Sequence, residues 1–348
     1  FARLAFFKIP TSHTKSTKEP PTVSIVICAK NEAKNLSQNL PRILNQNYHS
    51  FEVIVVNDDS TDETANILLD FQIKKPNLRI IKNYNKLNNN IGKKTALAKG
   101  IAAAKNEVLL LTDADCYPNS LEWLSEMQAL LNDAKAIGLG YSPYRYYPGM
   151  LNRLIRFETV YTAIQYFSFA LAKLPYMGVG RNLIYKKQLF QQVDGFQAHR
   201  HVVSGDDDLF INQVANKNNT AITILPKTFM YSEPKRSWRA YYRQKTRHFT
   251  TGIHYKFVHK SLLAVLAISH FFHYTGGIIL LLAKFSTIFV FLIYVVRMVI
   301  ILIIYAAILK RFQERNLLLW IPFLDVAYLA YYIIFAPVSL IGKTDSWT

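Results

Sequence analysis

VLLLTDAD, residues 108–115, is the segment that decides the fold. A short apolar run that ends in polar residues is typical of a strand buried on both faces of a sheet. Three further runs of this kind lie at residues 23–28, 52–57 and 78–82, and segments with helical patterns separate them. Because strands alternate with helices, the sequence predicts an α/β fold with a Rossmann-like, mainly parallel sheet.

Acidic residues follow two of these strands. Asp113 and Asp115 come at the end of the fourth strand, and Asp58 follows the second. Ligands bind at the carboxyl ends of the strands in open parallel sheets, so these three side chains are candidate ligand contacts. The carboxylates of Asp113 and Asp115 can hold Mg²⁺ or Mn²⁺, and such a cation binds a diphosphate. Polar turns and helix caps are the alternative explanation for each of these residues.

Two other clusters bring charged side chains to predicted helix starts. Lys93 follows Gly92, where backbone N–H groups and a cation can bind an anion, although the spacing is not that of a P-loop. Asp206, Asp207 and Asp208 precede another helix, and their mutual repulsion is expected to raise at least one pKa, as a general base requires. The alternative for the three acids is a favourable interaction with the helix dipole.

The end of the chain is strongly apolar. Residues 261–282, 285–309 and 317–341 each exceed the roughly 20 residues that a membrane-spanning helix needs. Arg297 and Asp325 interrupt the second and third runs, and they either pair with each other or mark a functional site. An uncharged aromatic stretch at 159–172 is too short to span, and we expect it to form an amphipathic helix near the membrane.

Charge is unevenly distributed along the chain. The net charge is +18, and the residues up to 260 carry 35 basic and 20 acidic side chains, an excess of 15. The soluble part should therefore attract nucleotides, phosphates or acidic lipid. Cys28 and Cys116 cannot form a disulfide framework, which favours a reducing compartment. No feature of the sequence predicts a nucleic-acid partner.

Six short motifs, taken together and in order, resemble those of family 2 glycosyltransferases. The resemblance covers residues 22–250, and it is closest to the membrane-integrated branch with cellulose, chitin, hyaluronan and poly-N-acetylglucosamine synthases. The motifs are Ala29-Lys-Asn-Glu32, Asn57-Asp-Asp-Ser-Thr-Asp62, Gly92-Lys93, Thr112-Asp-Ala-Asp115, Gly205-Asp-Asp-Asp208 and Gln244-Lys-Thr-Arg247-His248. The resemblance implies a GT-A fold and an inverting transfer, assisted by Mg²⁺ or Mn²⁺, from a nucleotide-diphosphate sugar. We expect this donor to be a UDP-sugar.

The resemblance also implies roles for individual residues in donor binding and catalysis. One of Asp206, Asp207 and Asp208 is the base: alignment on the preceding glycine selects Asp207, and alignment on the following Asp-Leu selects Asp206. Donor-binding roles fall to Glu32 and Asp58 at the nucleoside, Lys93 at the base or diphosphate, Asp113 at the ribose or phosphate, Arg181 and Asn182 in a donor or acceptor loop, and Gln244 and Arg247 near the leaving diphosphate. Metal ligation falls to Asp115, with Asp113.

The resemblance further implies a domain order. We expect an N-terminal membrane-proximal stub and linker, a GT-A catalytic domain, an interfacial amphipathic helix and three transmembrane helices, at 1–21, 22–235, 236–260 and 261–348. The cations Lys310, Arg311 and Arg315 between the second and third spans predict a cytoplasmic catalytic domain. The expected location is a bacterial inner membrane.

His248 stands where the synthase motif has tryptophan, a residue that helps to form the acceptor floor in that branch. We therefore expect transfer of one or a few sugars to a membrane-associated or saccharide acceptor. A processive polysaccharide synthase is the first alternative, and a non-catalytic nucleotide-sugar-binding scaffold is the second.

Overall fold

A seven-stranded mixed sheet organises the first two thirds of the chain. The computed structural model describes residues 1–7, 19–83, 92–202, 204–335 and 337. The strand order is β3-β2-β1-β4-β7-β6-β8, and only β7 runs antiparallel to its neighbours. The strands are β1 Val23–Ala29, β2 Phe51–Asn57, β3 Leu78–Lys82, β4 Val108–Asp113, β6 Ile137–Leu139, β7 Leu183–Lys186 and β8 Thr220–Ile222, and β5 Cys116–Pro118 pairs with β9 Met230–Ser232 in a second sheet.

The four predicted strands are confirmed to within one residue at each end. Every residue of β1 is buried, as its uninterrupted apolar sequence predicts. In the parallel pairing Ala29 lies opposite Asn57 and Cys28 lies opposite Asp113. The ends of β1, β2 and β4 are therefore level, and the polar residues that follow them share one edge of the sheet.

Twelve helices accompany the sheets in the described residues. Helix α4 begins at Lys93, α8 begins at Asp208, and α9 follows the capping residue Ser237. Their bounds are α1 Ala2–Ala5, α2 Ala33–Leu44, α3 Thr64–Lys74, α4 Lys93–Ala103, α5 Trp123–Gln128, α6 Met150–Leu171, α7 Lys187–Gln192, α8 Asp208–Val214, α9 Trp238–Phe249, α10 Phe257–Leu282, α11 Thr287–Arg311 and α12 Ile321–Phe335.

Helix α6 corrects the expectation of a surface helix at 159–172. Its residues Phe157, Val160 and Phe167 are almost fully buried. The ring of Tyr161 packs 4.5 Å from that of Tyr328 on α12, between ring centroids. The aromatic side chains are thus covered by other helices of the same chain, and α6 joins the sheet domain to the C-terminal helices.

Three C-terminal helices are long and apolar enough to cross a membrane: Phe257–Leu282, Thr287–Arg311 and Arg315–Phe335. The end of the third predicted run, beyond 337, lies outside the described residues. Arg297 and Asp325 do pair, with Nη1 and Oδ2 2.6 Å apart, and the Tyr274 hydroxyl donates to the same oxygen. This cluster links α10, α11 and α12.

Helix α12 also packs against the sheet domain along its length. Near its start, the Arg153 guanidinium of α6 lies 4.1 Å from the Trp320 ring centroid. At its end, the Phe335 ring stacks on Phe249 of α9 at 5.4 Å. The preceding Glu314 forms a buried ion pair with Arg156. The third apolar helix is therefore more fully covered by protein than α10 and α11.

Candidate active site

A cavity of about 490 Å³ lies where the strands β1 and β4 end. Its wall combines side chains from the sheet edge, from the starts of α4 and α8, and from α6, α9 and α12. Ten of the predicted site residues line it: Glu32, Lys93, Asp113, Asp115, Arg181, Asp206, Asp207, Asp208, Gln244 and Arg247.

Lys93 connects two of the acidic clusters. Its Nζ lies 2.9 Å from Asp113 Oδ1 and 3.1 Å from Asp206 Oδ2. Burial lowers the pKa of the Lys93 ammonium, but the two carboxylates outweigh burial and raise this pKa well above its ordinary value. Burial would likewise raise the pKa of Asp206, but Lys93 outweighs it and lowers this pKa. Both groups therefore stay charged.

Asp207 is a cavity carboxylate at the cap position of α8. Its Oδ1 accepts the Asp208 amide at 2.8 Å, which caps α8, and its Oδ2 accepts the Gly180 amide. Burial, followed by the charges of Asp206 and Asp208, raises the pKa of Asp207 to about 7. A carboxylate with this pKa exchanges its proton near neutral pH, as a general base must.

Asp208 serves the structure of the site. Its Oδ2 accepts hydrogen bonds from the Tyr255 hydroxyl at 2.6 Å and the Thr251 hydroxyl at 2.7 Å, and its Oδ1 accepts the Leu209 amide. These donors hold the start of α8 against the segment that follows α9. With Asp206 paired to Lys93 and Asp208 engaged in this way, Asp207 fits the role of base best of the three.

Asp113, Asp115 and Cys116 form an acidic group that could hold a metal ion. Their possible ligand atoms all lie within 4.8 Å of one another. Burial raises the pKa of the Cys116 thiol well above its ordinary value, so the sulfur stays protonated and is a poor ligand. Burial and then Asp113 raise the pKa of Asp115, a cost that a bound cation would offset. Two carboxylates suit a hard cation such as Mg²⁺ or Mn²⁺.

Among the described residues, no carboxylate lies at hydrogen-bonding distance from Arg181. Its guanidinium stacks over Tyr144, 4.3 Å from the ring centroid. Its Nη1 is buried and has no hydrogen-bond partner within the described residues. A buried, unsatisfied guanidinium on a cavity wall can bind a phosphate oxygen.

Helix α9 carries Gln244, Arg247 and His248 to the cavity. Its capping residue Ser237 accepts the Ala240 amide at 3.3 Å. The Gln244 amide donates to the Tyr144 hydroxyl at 3.3 Å, next to Arg181. The helix thus adds the cation Arg247 to the cavity wall.

Residues 24–202, more than half of the chain, match the family model described as glycosyl transferase family 2. The chain belongs to this family. Its sheet has the GT-A arrangement.

Two curated relatives are similar in sequence to this chain. A probable glycosyltransferase of Bacillus subtilis is 28% identical over 245 residues, which cover 67% of this chain and 56% of the relative. A poly-beta-1,6-N-acetyl-D-glucosamine synthase of Staphylococcus epidermidis is 33% identical over 93 residues, 27% of this chain and 21% of the relative. The chain therefore spans about half or less of the length of these relatives.

A solved structure shares the fold over nearly the whole chain. It is a mannosyltransferase from Pyrobaculum calidifontis in complex with GDP-Man and Mn²⁺, with a TM-score of 0.57 and 17% identity. The match covers 95% of this chain and 92% of the mannosyltransferase. The C-terminal helices thus belong to the shared arrangement as well as the sheet domain.

Two predicted donor-binding residues lie away from the cavity wall. Asn182 is fully buried: its amide donates to the Tyr141 and Thr228 carbonyls at 2.8 Å and accepts from Trp123 Nε1 at 2.9 Å. These bonds make it a core residue, and its position does not support a ligand contact. Asp58 is buried at the end of β2 and accepts from Asn83, and its Oδ2 has no hydrogen-bond partner in the described ranges.

Glu158 is a cavity residue that sequence reasoning missed. This α6 carboxylate accepts from Lys245 and from the hydroxyls of Tyr241 at 2.9 Å and Tyr331 at 3.0 Å. It thereby ties α9 and α12 to α6. An isolated acid directly before the uncharged aromatic stretch at 159–172 was the available signal. Because Tyr241 and Lys245 are buried here, α9 is anchored on protein along one face, while Trp238 and Tyr242 stay exposed.

Proposed function

We propose that this family 2 enzyme is a membrane-bound, inverting glycosyltransferase. It moves a sugar from a nucleoside-diphosphate donor, for which we propose a UDP-sugar, to an acceptor hydroxyl by direct displacement. The observation that carries this proposal is one cavity in which Asp207 shares the wall with the cations Lys93, Arg181 and Arg247 and with the Asp113–Asp115 pair.

The donor end of the cavity is suited to a leaving diphosphate. Arg181 and Arg247 offer guanidinium groups to its oxygens, and Lys93 adds an ammonium. Asp113 and Asp115 would hold Mg²⁺ or Mn²⁺, which supplies positive charge for the departing diphosphate. The mannosyltransferase that shares the fold is in complex with GDP-Man and Mn²⁺, which supports a nucleotide-sugar and metal requirement here. Glu32 lines the same cavity, and we propose that it contacts the nucleoside. The nucleoside contact expected of Asp58 stays a prediction, because this residue lies away from the cavity wall.

Asp207 is the proposed base. It takes the proton of the acceptor hydroxyl as that oxygen attacks the anomeric carbon from the side opposite the diphosphate. The carbon–oxygen bond to the diphosphate breaks as the new glycosidic bond forms. One displacement without a covalent enzyme intermediate inverts the anomeric centre.

The membrane part and its orientation extend the proposal. Lys310 and Arg311 end α11, and Arg315 begins the third apolar helix, so all three flank the connection between the two helices. Positive residues favour the cytoplasmic side, where sugar nucleotides are made. We propose the inner membrane of a bacterium as the location. The exposed Trp238 and Tyr242 of α9 would rest at the lipid headgroups.

The reaction is tested by incubating the full chain in membranes with UDP-, GDP- and dTDP-sugars. The measurements are nucleoside diphosphate release and product mass. We expect turnover with one donor class, loss of turnover in Asp207→Asn, and normal turnover in Asp70→Asn, an exposed control on α3. Donor binding without release in the native chain would refute the catalytic proposal and favour the scaffold alternative.

Product size separates single transfer from polymer synthesis. We propose transfer of one or a few sugars, because His248 occupies the acceptor side of α9 where the synthase motif has tryptophan. Sizing of labelled product at substrate excess is the test. A long polymer that appears while most acceptor is unextended would contradict this proposal and favour a synthase.

A further inference from the structure

One part of the cavity wall carries few charged side chains. Here the wall is formed by α6 and α12, and Leu263 of the candidate span α10 completes it. The lining residues contributed by α6 and α12 are Glu158, Thr159, Thr162, Gln165, Tyr166, Tyr328, Tyr331 and Tyr332.

Hydroxyls, one amide and aromatic rings dominate this wall. Among the described residues of α6 and α12 that line it, Glu158 is the only charged one. Its carboxylate is already bonded to Lys245, Tyr241 and Tyr331. These described residues of α6 and α12 therefore offer polar hydrogen-bonding groups and apolar ring faces, and none of them is a cation.

Three acidic residues lie beside the reacting position. Asp206, Asp207 and Asp208 all line the cavity, and of these three described residues Lys93 forms an ion pair with Asp206. A phosphate monoester carries between one and two negative charges near neutral pH, so this cluster would repel it. An ionised phosphate also has no proton to lose, whereas a sugar hydroxyl needs a base such as Asp207.

We propose that the acceptor is the neutral sugar of a glycolipid and that a lipid phosphate is not an acceptor. The inference rests on the proposed transferase function and adds the acceptor class. The sugar hydroxyls would bind Thr162 and Gln165, the ring would lie against the tyrosines of α12, and the lipid tail would lie toward Leu263. Tyrosine rings suit this task because each combines an apolar face with a hydroxyl.

The test gives the enzyme two kinds of acceptor with the same donor. The full chain in phosphatidylcholine vesicles receives either a panel of neutral octyl glycosides or farnesyl phosphate. We expect labelled sugar on at least one glycoside and none on farnesyl phosphate. Transfer to farnesyl phosphate at a comparable rate overturns the inference. Donor hydrolysis without transfer to any glycoside overturns it too, but leaves the transferase proposal standing. Absence of all donor turnover contradicts both.

A matched pair of variants locates the acceptor on this wall. Thr162→Val removes a hydroxyl and nearly preserves volume, and it should raise the KM for the glycoside about three- to tenfold, the effect of one lost hydrogen bond. The KM for the donor should not change, and thermal unfolding reports whether the variant folds. Thr275→Val on α10, whose side chain does not line the cavity, is the control and should leave both KM values unchanged. An unchanged KM for the glycoside in folded Thr162→Val would refute the proposed acceptor site at this wall.

Discussion

Replacing Asp207 by asparagine should separate catalysis from donor binding. Loss of a general base lowers a rate by about 10²–10⁴-fold. Asparagine keeps the size of the side chain and the oxygen that accepts the Asp208 amide, so α8 stays capped. We therefore expect a hundredfold or larger loss of turnover, with the affinity for UDP nearly unchanged in a titration.

The pH dependence gives this prediction a second measurement. With a pKa of about 7, the ionised fraction of Asp207 falls to about one tenth at pH 6 and about one hundredth at pH 5. Turnover of the native enzyme should fall in proportion, and the residual turnover of the variant should lack this acid limb. Asp70→Asn should retain both the rate and the limb.

The same raised pKa has a consequence for stability. An acid whose pKa is higher in the folded state costs folding free energy when it ionises. The free energy of unfolding therefore falls as pH rises from about 4 through about 7. Asparagine leaves the Gly180 amide without its acceptor at every pH. Relative to the native chain, Asp207→Asn should therefore gain unfolding temperature between pH 4 and pH 8. The gain is at most about 4 kcal/mol, from a shift of about three units.

Two results would refute this reasoning. Near-native turnover of Asp207→Asn would exclude it as the base, and the same measurement on Asp206→Asn would then decide between the two. An acid limb that persists unchanged in the variant would assign the titration to another group.

Three further predictions address metal, architecture and topology. Asp115→Ala should abolish the effect of Mn²⁺ on UDP binding, because a carboxylate ligand is lost; equal titrations of native and variant protein, with and without Mn²⁺, would contradict the metal site. Glu158→Gln leaves the buried Lys245 cation without its ion-pair partner and should lower the free energy of unfolding by about 3–5 kcal/mol. The double variant with Lys245→Met should recover most of this loss in thermal unfolding. Equal stability of the single and double variants would show that the ion pair does not stabilise the chain. Gln313→Cys, between α11 and α12, should react with an impermeant maleimide only after cells are permeabilised, because we place this connection in the cytoplasm. The two native cysteines are buried and should add little background. Labelling of intact cells would contradict the proposed orientation.

The sheet and its ligand edge could be predicted from the sequence because their determinants are local. An apolar run with polar residues at its end is sufficient to identify β4 as a buried strand and to bring Asp113 and Asp115 to its carboxyl end. Parallel pairing then requires Asn57 and Asp58 to come to the same edge. The apolar C-terminal helices follow equally from length and composition.

The roles of the three consecutive aspartates could not be separated in this way. Asp208 is engaged by Thr251 and Tyr255, which lie 43 and 47 residues later in the chain, and Asp206 is engaged by Lys93 from another helix. Neighbouring residues with the same side chain thus acquire different protonation behaviour from partners that are distant in sequence. Only the folded chain singles out Asp207.

Tertiary packing also decided the surroundings of two polar residues that the sequence pattern missed or misassigned. The motif position of Asn182 predicts a ligand contact, yet Trp123, Tyr141 and Thr228 close around its amide in the core. Glu158 has no motif, but three helices converge on it. Local sequence determines where a strand or helix forms, because backbone conformation and hydrophobic period are short-range properties. Whether a polar side chain faces a ligand or the core depends on which distant elements cover it, and that is decided only when the helices dock.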